Sequence, residues 1–142
     1  QKLENGIIFF YREYFKCAPP ILALTEQVTR WDNRFEVLRM DETDAYIEKL
    51  GYHGWLQIKM GKKVYGDVNF LFKIPFGARL SLPVVRHLDG TLLIPHFVGN
   101  INTDFNSKRS LPIAQFKPDE DWFCDLVLYA NTRRKFTLHH RS

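Results

Sequence analysis

The sequence predicts a β-rich α+β domain, a small antiparallel barrel or sandwich with one or two short helices. Three observations lead there. Aromatic residues make up 15% of the chain, including 12 Phe and 6 Tyr, and such side chains favour pleated, half-buried surfaces over helix. Short apolar runs are separated by Gly, Pro and Asp/Asn turns, the punctuation of strands. At 142 residues, 45% of them hydrophobic, the chain is the size of one ordinary domain, and a domain of this size buries roughly two-thirds of its unfolded surface.

The elements follow in order. Ile7 to Phe15 reads as a strand, apolar on both faces near its start and preceded by Gly6. Pro19 and Pro20 end it, because proline cannot donate to a sheet ladder. Ile21 to Arg30 fits either a helical turn or a loop lying on the core. Asp32-Asn33 reads as a turn leading into a strand over Glu36 to Met40, and Tyr46 to Leu50 as another short strand broken by Gly51. His53 to Met60 spaces Trp55, Ile58 and Lys59 as a helix would. Gly61, Lys62 and Lys63 stop that helix with a glycine cap and cations at its negative pole.

Ala78 to Arg86 alternates as a strand, with Leu80, Leu82 and Val84 on one face. Asp89-Gly90 and the run Thr91 to Phe97 then give the best hairpin signal in the chain. Pro83 and Pro95 put these strands at a sheet edge or at bulges. Val98 to Pro118 reads as a long polar loop. Trp122 to Ala130 is expected as a last strand, with Phe136 to His139 pairing back through Asn131-Thr132.

Several classes of chemistry find no pattern. The apolar runs are far shorter than the roughly 20 residues that span a bilayer, and Gln1–Gly6 does not open a signal peptide. The chain does not begin with Met, so a fragment or a processed product is expected. Cys17 and Cys124 could form one disulfide but no disulfide framework, and no Cys/His spacing matches a zinc module. Both are expected to be buried small hydrophobes. Gly61-Lys-Lys-Val-Tyr-Gly66 lacks the Lys-Ser/Thr ending of a phosphate loop and reads as a turn. Ser81, Ser107, Ser110 and Ser142 lack the glycines of a nucleophile elbow. His96 reads as a structural histidine, and Asp119, Glu120, Asp121 and Asp125 as a solvated loop without calcium-loop spacing.

Charge gives the one functional signal. The net charge is +4, and Arg133, Arg134, Lys135 and Arg141 account for all of it. Together with His139 and His140 they form a candidate RNA-binding tail. Cations there would neutralise phosphates, and Phe136 or an arginine could stack on bases. The alternative is that residues 132–142 form a flexible basic tail that only aids solubility.

Five short motifs occur in sequence: the apolar run ending in Arg12-Glu13; Trp31-Asp32-Asn33-Arg34-Phe35; Leu50-Gly51 with Gly54-Trp55; Arg79-Leu80-Ser81-Leu82-Pro83; and Asp89-Gly90 followed by Pro95-His96. In this order, over roughly residues 6 to 99, they resemble the C-terminal region of alphaproteobacterial tRNA(Ile)-lysidine synthetases. Asn33 stands where that family commonly has Gly, a mild change because Asn tolerates a left-handed turn.

The resemblance implies a family that converts the wobble cytidine of tRNA(Ile) to lysidine. ATP adenylates the C2 oxygen, and the amine of lysine displaces AMP. An N-terminal domain with an S-G-G-x-D-S pyrophosphate loop does that work, with ATP and Mg as its cofactors. The loop is absent here. Residues 1–142 are therefore expected to be a cytoplasmic C-terminal accessory domain with no cofactor and no catalytic residue of its own. Its implied partners are tRNA(Ile) and its own catalytic domain, with a homodimer as a further option. Trp31, Phe35 and Trp55 are expected as core anchors, and Gly51, Gly54 and Gly90 as turns with unusual backbone angles. Arg34 and Arg79 could contact phosphate or pair with Asp32 or Glu36, the pairing being favoured. A rival reading is a protein-interaction or dimerisation domain that never touches RNA.

Overall fold

The computed structural model describes residues 2–4, 7–9, 11–39, 41–98 and 111–119. The chain opens with an antiparallel ladder of β1 (Lys2–Glu4) and β2 (Ile7–Phe9). The strand expected from Ile7 does not reach Phe15: β2 is described over Ile7–Phe9, and Tyr14–Lys16 forms a 3-10 turn instead. Then come β3 (Ile21–Leu22), β4 (Val28–Trp31), β5 (Phe35–Leu38) and β6 (Ala45–Lys49). The ambiguous stretch from Ile21 to Arg30 is thus two strand segments, not a helical turn.

Helix α1 spans Gly51–Met60. Gly61 ends it at φ +68°, its N–H bonding back to the Gln57 and Ile58 carbonyls, the left-handed cap that glycine adopts without a Cβ penalty. Next come β7 (Val64–Tyr65), a 3-10 helix (Val68–Lys73) and α2 (Phe76–Leu80). The expected strand from Ala78 therefore begins only at β8 (Pro83–His87). Period-two alternation over Leu80 and Leu82 is what misleads, because a single helical turn is too short to show its own period.

β9 (Leu92–Leu93) pairs antiparallel with β8 across the Asp89-Gly90 turn, as expected. The chain then changes sheets at Pro95 into β10 (His96–Val98). Pro83 opens β8, the middle strand of its sheet, so the edge expectation fails there. A proline at a strand's first residue is still tolerated. The stretch expected as a long loop from Val98 to Pro118 contains β11 (Ile113–Phe116), an inner strand paired on both sides. Four residues between Pro112 and Lys117-Pro118 carry little periodicity, and their neighbours make them a strand. The strands expected after Trp122 lie outside the described residues.

Among the described residues two mixed sheets result, ordered β10-β11-β5-β4 and β3-β6-β8-β9-β7. The β-rich α+β class is as expected, while a purely antiparallel arrangement is not. β10 pairs parallel with β11, and β7 with β9. The β7–β9 pair needs a crossover, and the 3-10 helix, α2 and β8 supply it. Among the described residues no barrel closes.

The sheets face each other across one core. Trp31, Phe35, Val37 and Ala114 meet Ala45, Ile47, Val85 and Leu93. Successive residues point to opposite faces of a strand, so Val84 and Leu92 enter a second core with Leu50, Leu71 and Ile94, covered by Trp55 and Ile58 of α1. The five-stranded sheet is buried on both sides, and α1 lies over its outer face.

Candidate nucleic-acid interface

The residues that place the surface come first. Trp31-Asp32-Asn33-Arg34 makes a turn with φ +56° at Asp32 and +55° at Asn33, closed by the Arg34 N–H on the Trp31 carbonyl at 3.3 Å. Positive φ at both central residues is the hairpin turn that suits Asn and Asp. It turns Asp32 inward. The buried Asp32 carboxylate accepts from the Arg34 Nε at 2.8 Å, the Ala18 N–H at 2.8 Å and the Arg12 Nη2 at 3.2 Å. Arg34, buried beside it, donates to the Ser81 carbonyl at 2.6 Å and lies over the rings of Trp31 and Phe35. This guanidinium is enclosed and pairs with Asp32. It offers no face to a phosphate.

The same knot holds the 11–20 segment. The Trp31 indole donates to the Pro19 carbonyl at 3.3 Å. Cys17 is a free, half-buried thiol beside Arg34 and the Ser81 carbonyl. Burial pushes its pKa up, and the Arg34 charge only partly offsets that. Cys124 lies outside the described residues. Anchored in this way, Tyr14 sits against α1, its ring 5.1 Å from that of Tyr52 and edge-on at 85°. The Lys49 Nζ stands 5.1 Å over the Tyr14 ring.

An aromatic face results. Tyr52 also meets Phe76, and Trp55 meets Phe72 and Phe76. Arg79 packs over Trp55 at 5.0 Å and over Phe72 at 5.2 Å, held by an Nε bond to the Ile74 carbonyl at 3.1 Å. It pairs with neither Asp32 nor Glu36 among the described residues. Cation–π contact holds it in place. Tyr52, Phe15 and Phe72 are each more than half exposed, at 56%, 65% and 58%. Trp31 and Phe35 are core anchors as expected, while Trp55 is half-buried at the edge of this face. Gly51 (φ +62°) and Gly90 (φ +92°) have the expected backbone angles. Gly54 does not: it lies inside α1, and a Cβ there would come within 2.7 Å of the Leu50 Cδ1. Close packing, not a turn, calls for glycine at that position.

Two clefts flank the exposed edge of α1. One, of about 510 Å³, is lined by Tyr14, Lys49, Tyr52 and His53 over a floor that includes Ala18, Pro19 and Gly51. The other, of about 300 Å³, is lined by His53, Met60, Lys62, Lys63 and Arg86. Arg86 is fixed by Glu48 at 3.0 Å and by the Gln57 Oε1 at 2.7 Å. No side chain caps the start of α1, and no acid stands in its first turn.

Other candidates resolve simply. Ser81 is buried with its hydroxyl on the Ala78 carbonyl. His96 is exposed, on β10. Among the described residues no group of His, Cys, Asp or Glu could hold a metal, and no helix is long and apolar enough to cross a membrane. Of the acidic loop only Asp119 is described. The tail candidates Arg133, Arg134, Lys135, His139, His140 and Arg141 all lie outside the described residues. The aromatic face was missed from the sequence. Its one signal there was that Tyr52, Phe72 and Phe76 fall outside the expected strands.

Comparison with known proteins gives one consistent answer. The chain is 32% identical over 95 residues to a tRNA(Ile)-lysidine synthase of Orientia tsutsugamushi, covering 63% of this chain and 20% of that protein. It is 27% identical over 96 residues to the Rickettsia felis enzyme of that name and 28% identical over 96 residues to that of Rickettsia typhi, each covering 67% of this chain and 22% of the relative. Its relatives are tRNA(Ile)-lysidine synthases of alphaproteobacteria. The resemblance to alphaproteobacterial tRNA(Ile)-lysidine synthetases is borne out. The chain spans about one fifth of the length of the relatives it matches. No family model matches the chain, and no solved structure gives a significant match.

Proposed function

We propose that this chain is a C-terminal accessory domain of a tRNA(Ile)-lysidine synthase, which helps to hold tRNA(Ile) while another part of the protein carries out the ligation. The observation that carries this reading is the match itself: relatives of one name, aligned over only a fifth of their length. The sequence lacks an S-G-G-x-D-S loop, so ATP and Mg belong to the catalytic part, and the chain contributes grip, not chemistry. In this reading the domain works in the cytoplasm, where tRNA is modified. The basic residues Arg133 to Arg141 supply sequence-independent phosphate contacts.

The test is fluorescence anisotropy of the full chain with a tRNA(Ile) transcript across a salt series. Affinity that falls steeply with salt is expected, since each neutralised phosphate contributes a slope of about −0.9. No affinity at low salt overturns the reading. It would favour a docking or dimerisation domain, for which the exposed Leu56 and Met60 of α1 would be the first surface to examine.

A further inference from the structure

The tail is not the only surface suited to RNA. The 510 Å³ cleft has the size of a small-molecule site, roughly 300–1,000 Å³, and two of its walls are tyrosines. Tyr52 is 56% exposed, so beyond its edge-on contact with Tyr14 it keeps ring surface that a flat heterocycle could cover, while Lys49 stands over the Tyr14 ring. Among the described residues no carboxylate lies within ion-pair distance of Lys49. Past His53, which lines both clefts, come Lys62, Lys63 and Arg86. The one carboxylate in either lining, Glu48, is already bound by Arg86 at 3.0 Å. Aromatic walls beside a run of cations complement a strand that carries bases on one side and phosphates on the other. An acidic peptide would match the cations but leave the tyrosine faces without a partner of their own shape. A duplex keeps its bases stacked inside and could use only the cations.

We propose that this cleft binds one unpaired nucleotide of an RNA strand, its base stacked on Tyr52 beside Tyr14 and its phosphate at Lys49, with the neighbouring phosphate passing His53 toward Lys62, Lys63 and Arg86. As a tRNA site this rests on the accessory reading above; as a single-strand site it can be tested apart from it.

The experiment measures anisotropy of the full chain with a fluorescein-labelled single-stranded RNA octamer, with the same octamer as a blunt duplex, and with the tRNA(Ile) transcript. The variants are Tyr52→Ala, Tyr52→Trp and Lys49→Gln. The single strand should bind more tightly than the duplex. Tyr52→Ala should weaken single-strand binding about five- to hundred-fold, the usual effect of losing one base–aromatic stack. Tyr52→Trp should keep the affinity, and Lys49→Gln should make the salt slope shallower by about 0.7. Tyr52 is more than half exposed, so the thermal midpoint should hold in each variant. Should Tyr52→Ala fail to fold, the tryptophan and glutamine variants still decide. No affinity for the single strand, or equal affinity in wild type and Tyr52→Ala, overturns the proposal, including the case where a protein segment fills the cleft. Binding of tRNA without that dependence refutes the cleft and spares the accessory reading. Tyr52-dependent binding of the octamer without tRNA binding does the reverse.

Discussion

Replacing Arg34 by Met should test whether the Trp-Asp-Asn-Arg-Phe motif is structural. The Arg34 side chain is only 6% exposed and that of Asp32 only 2%. The substitution keeps apolar length over Trp31 and Phe35 but removes the 2.8 Å bond to Asp32 and the 2.6 Å bond to the Ser81 carbonyl. Breaking a buried ion pair from one side typically costs about 3–5 kcal/mol, because the other charge stays buried. Asp32 would keep the Ala18 N–H and Arg12, which points to the low end of that range. The Ser81 carbonyl, left with only the weak Cys17 thiol donor at 3.8 Å, adds about 1 kcal/mol. We therefore expect a loss of about 4 kcal/mol. Urea unfolding followed by tryptophan fluorescence should show a lower midpoint at an unchanged slope. For a chain of this size the melting temperature should fall by roughly 10 °C. The double variant Asp32→Asn, Arg34→Met should lose less than the two single losses added together, since the second change removes the stranded charge. A loss under about 1 kcal/mol from Arg34→Met, accompanied by weaker tRNA binding, would refute the structural account and return Arg34 to the RNA.

Three further outcomes are expected. Trp31→Ala should destabilise the domain by about 3–5 kcal/mol, since the ring is only 1% exposed; a loss below about 1 kcal/mol in a urea titration would contradict its burial. Replacing Arg133, Arg134 and Lys135 together by Ala should weaken tRNA binding, make the salt slope shallower by about 2–3 and leave the melting temperature unchanged; unchanged binding removes the tail from the account. Burial works against the Asp41 carboxylate, but hydrogen bonds from Thr43 and the charges of His87 and Arg39 outweigh it and hold its pKa below the ordinary value of 3.8. A lowered folded pKa stabilises above the unfolded value and is lost as pH falls through the folded one. The stability gap between wild type and Asp41→Asn should therefore close on acidification from about pH 6 to below pH 3, and a gap independent of pH would refute the assignment.

Legibility in the sequence followed the strength of the local signal. The Asp89-Gly90 hairpin, the Asp32-Asn33 turn and the Gly61 stop were readable because each depends on a backbone angle that few residues accept. α1 was readable from its spacing, though it starts two residues earlier than expected. What failed was decided by distant partners. β11 is four residues made into a strand by β5 and β10, and α2 is a single helical turn within an alternating run. The parallel pairs of β7 with β9 and β10 with β11 follow from crossovers that no local pattern announces. Burial of Arg34 was undecidable from the chain, since pairing depends on Ser81 and Arg12 arriving from elsewhere. The aromatic face depends on Tyr14, Tyr52 and Phe76 meeting from three separate elements.

The similarity to tRNA(Ile)-lysidine synthases and the position of the clefts bear on each other. Most of the motif residues are knots of the fold. Arg12 and Arg34 converge on Asp32, Arg34 reaches the Ser81 carbonyl, and the Leu50 N–H bonds the Leu82 carbonyl at 2.8 Å. The Gln57 Nε2 of α1 donates to the Gly90 carbonyl at 2.9 Å. Motifs far apart in the chain therefore touch in space, and their residues hold the architecture together. A buried Arg–Asp pair that crosslinks three segments fixes where Tyr14 and α1 stand, and that placement forms the larger cleft. Changes in the motifs should then act on binding only through stability, whereas changes at Tyr52 and Lys49 should act on binding at constant stability. A motif variant that keeps its melting temperature and loses RNA would break this division of labour and put recognition within the motifs themselves.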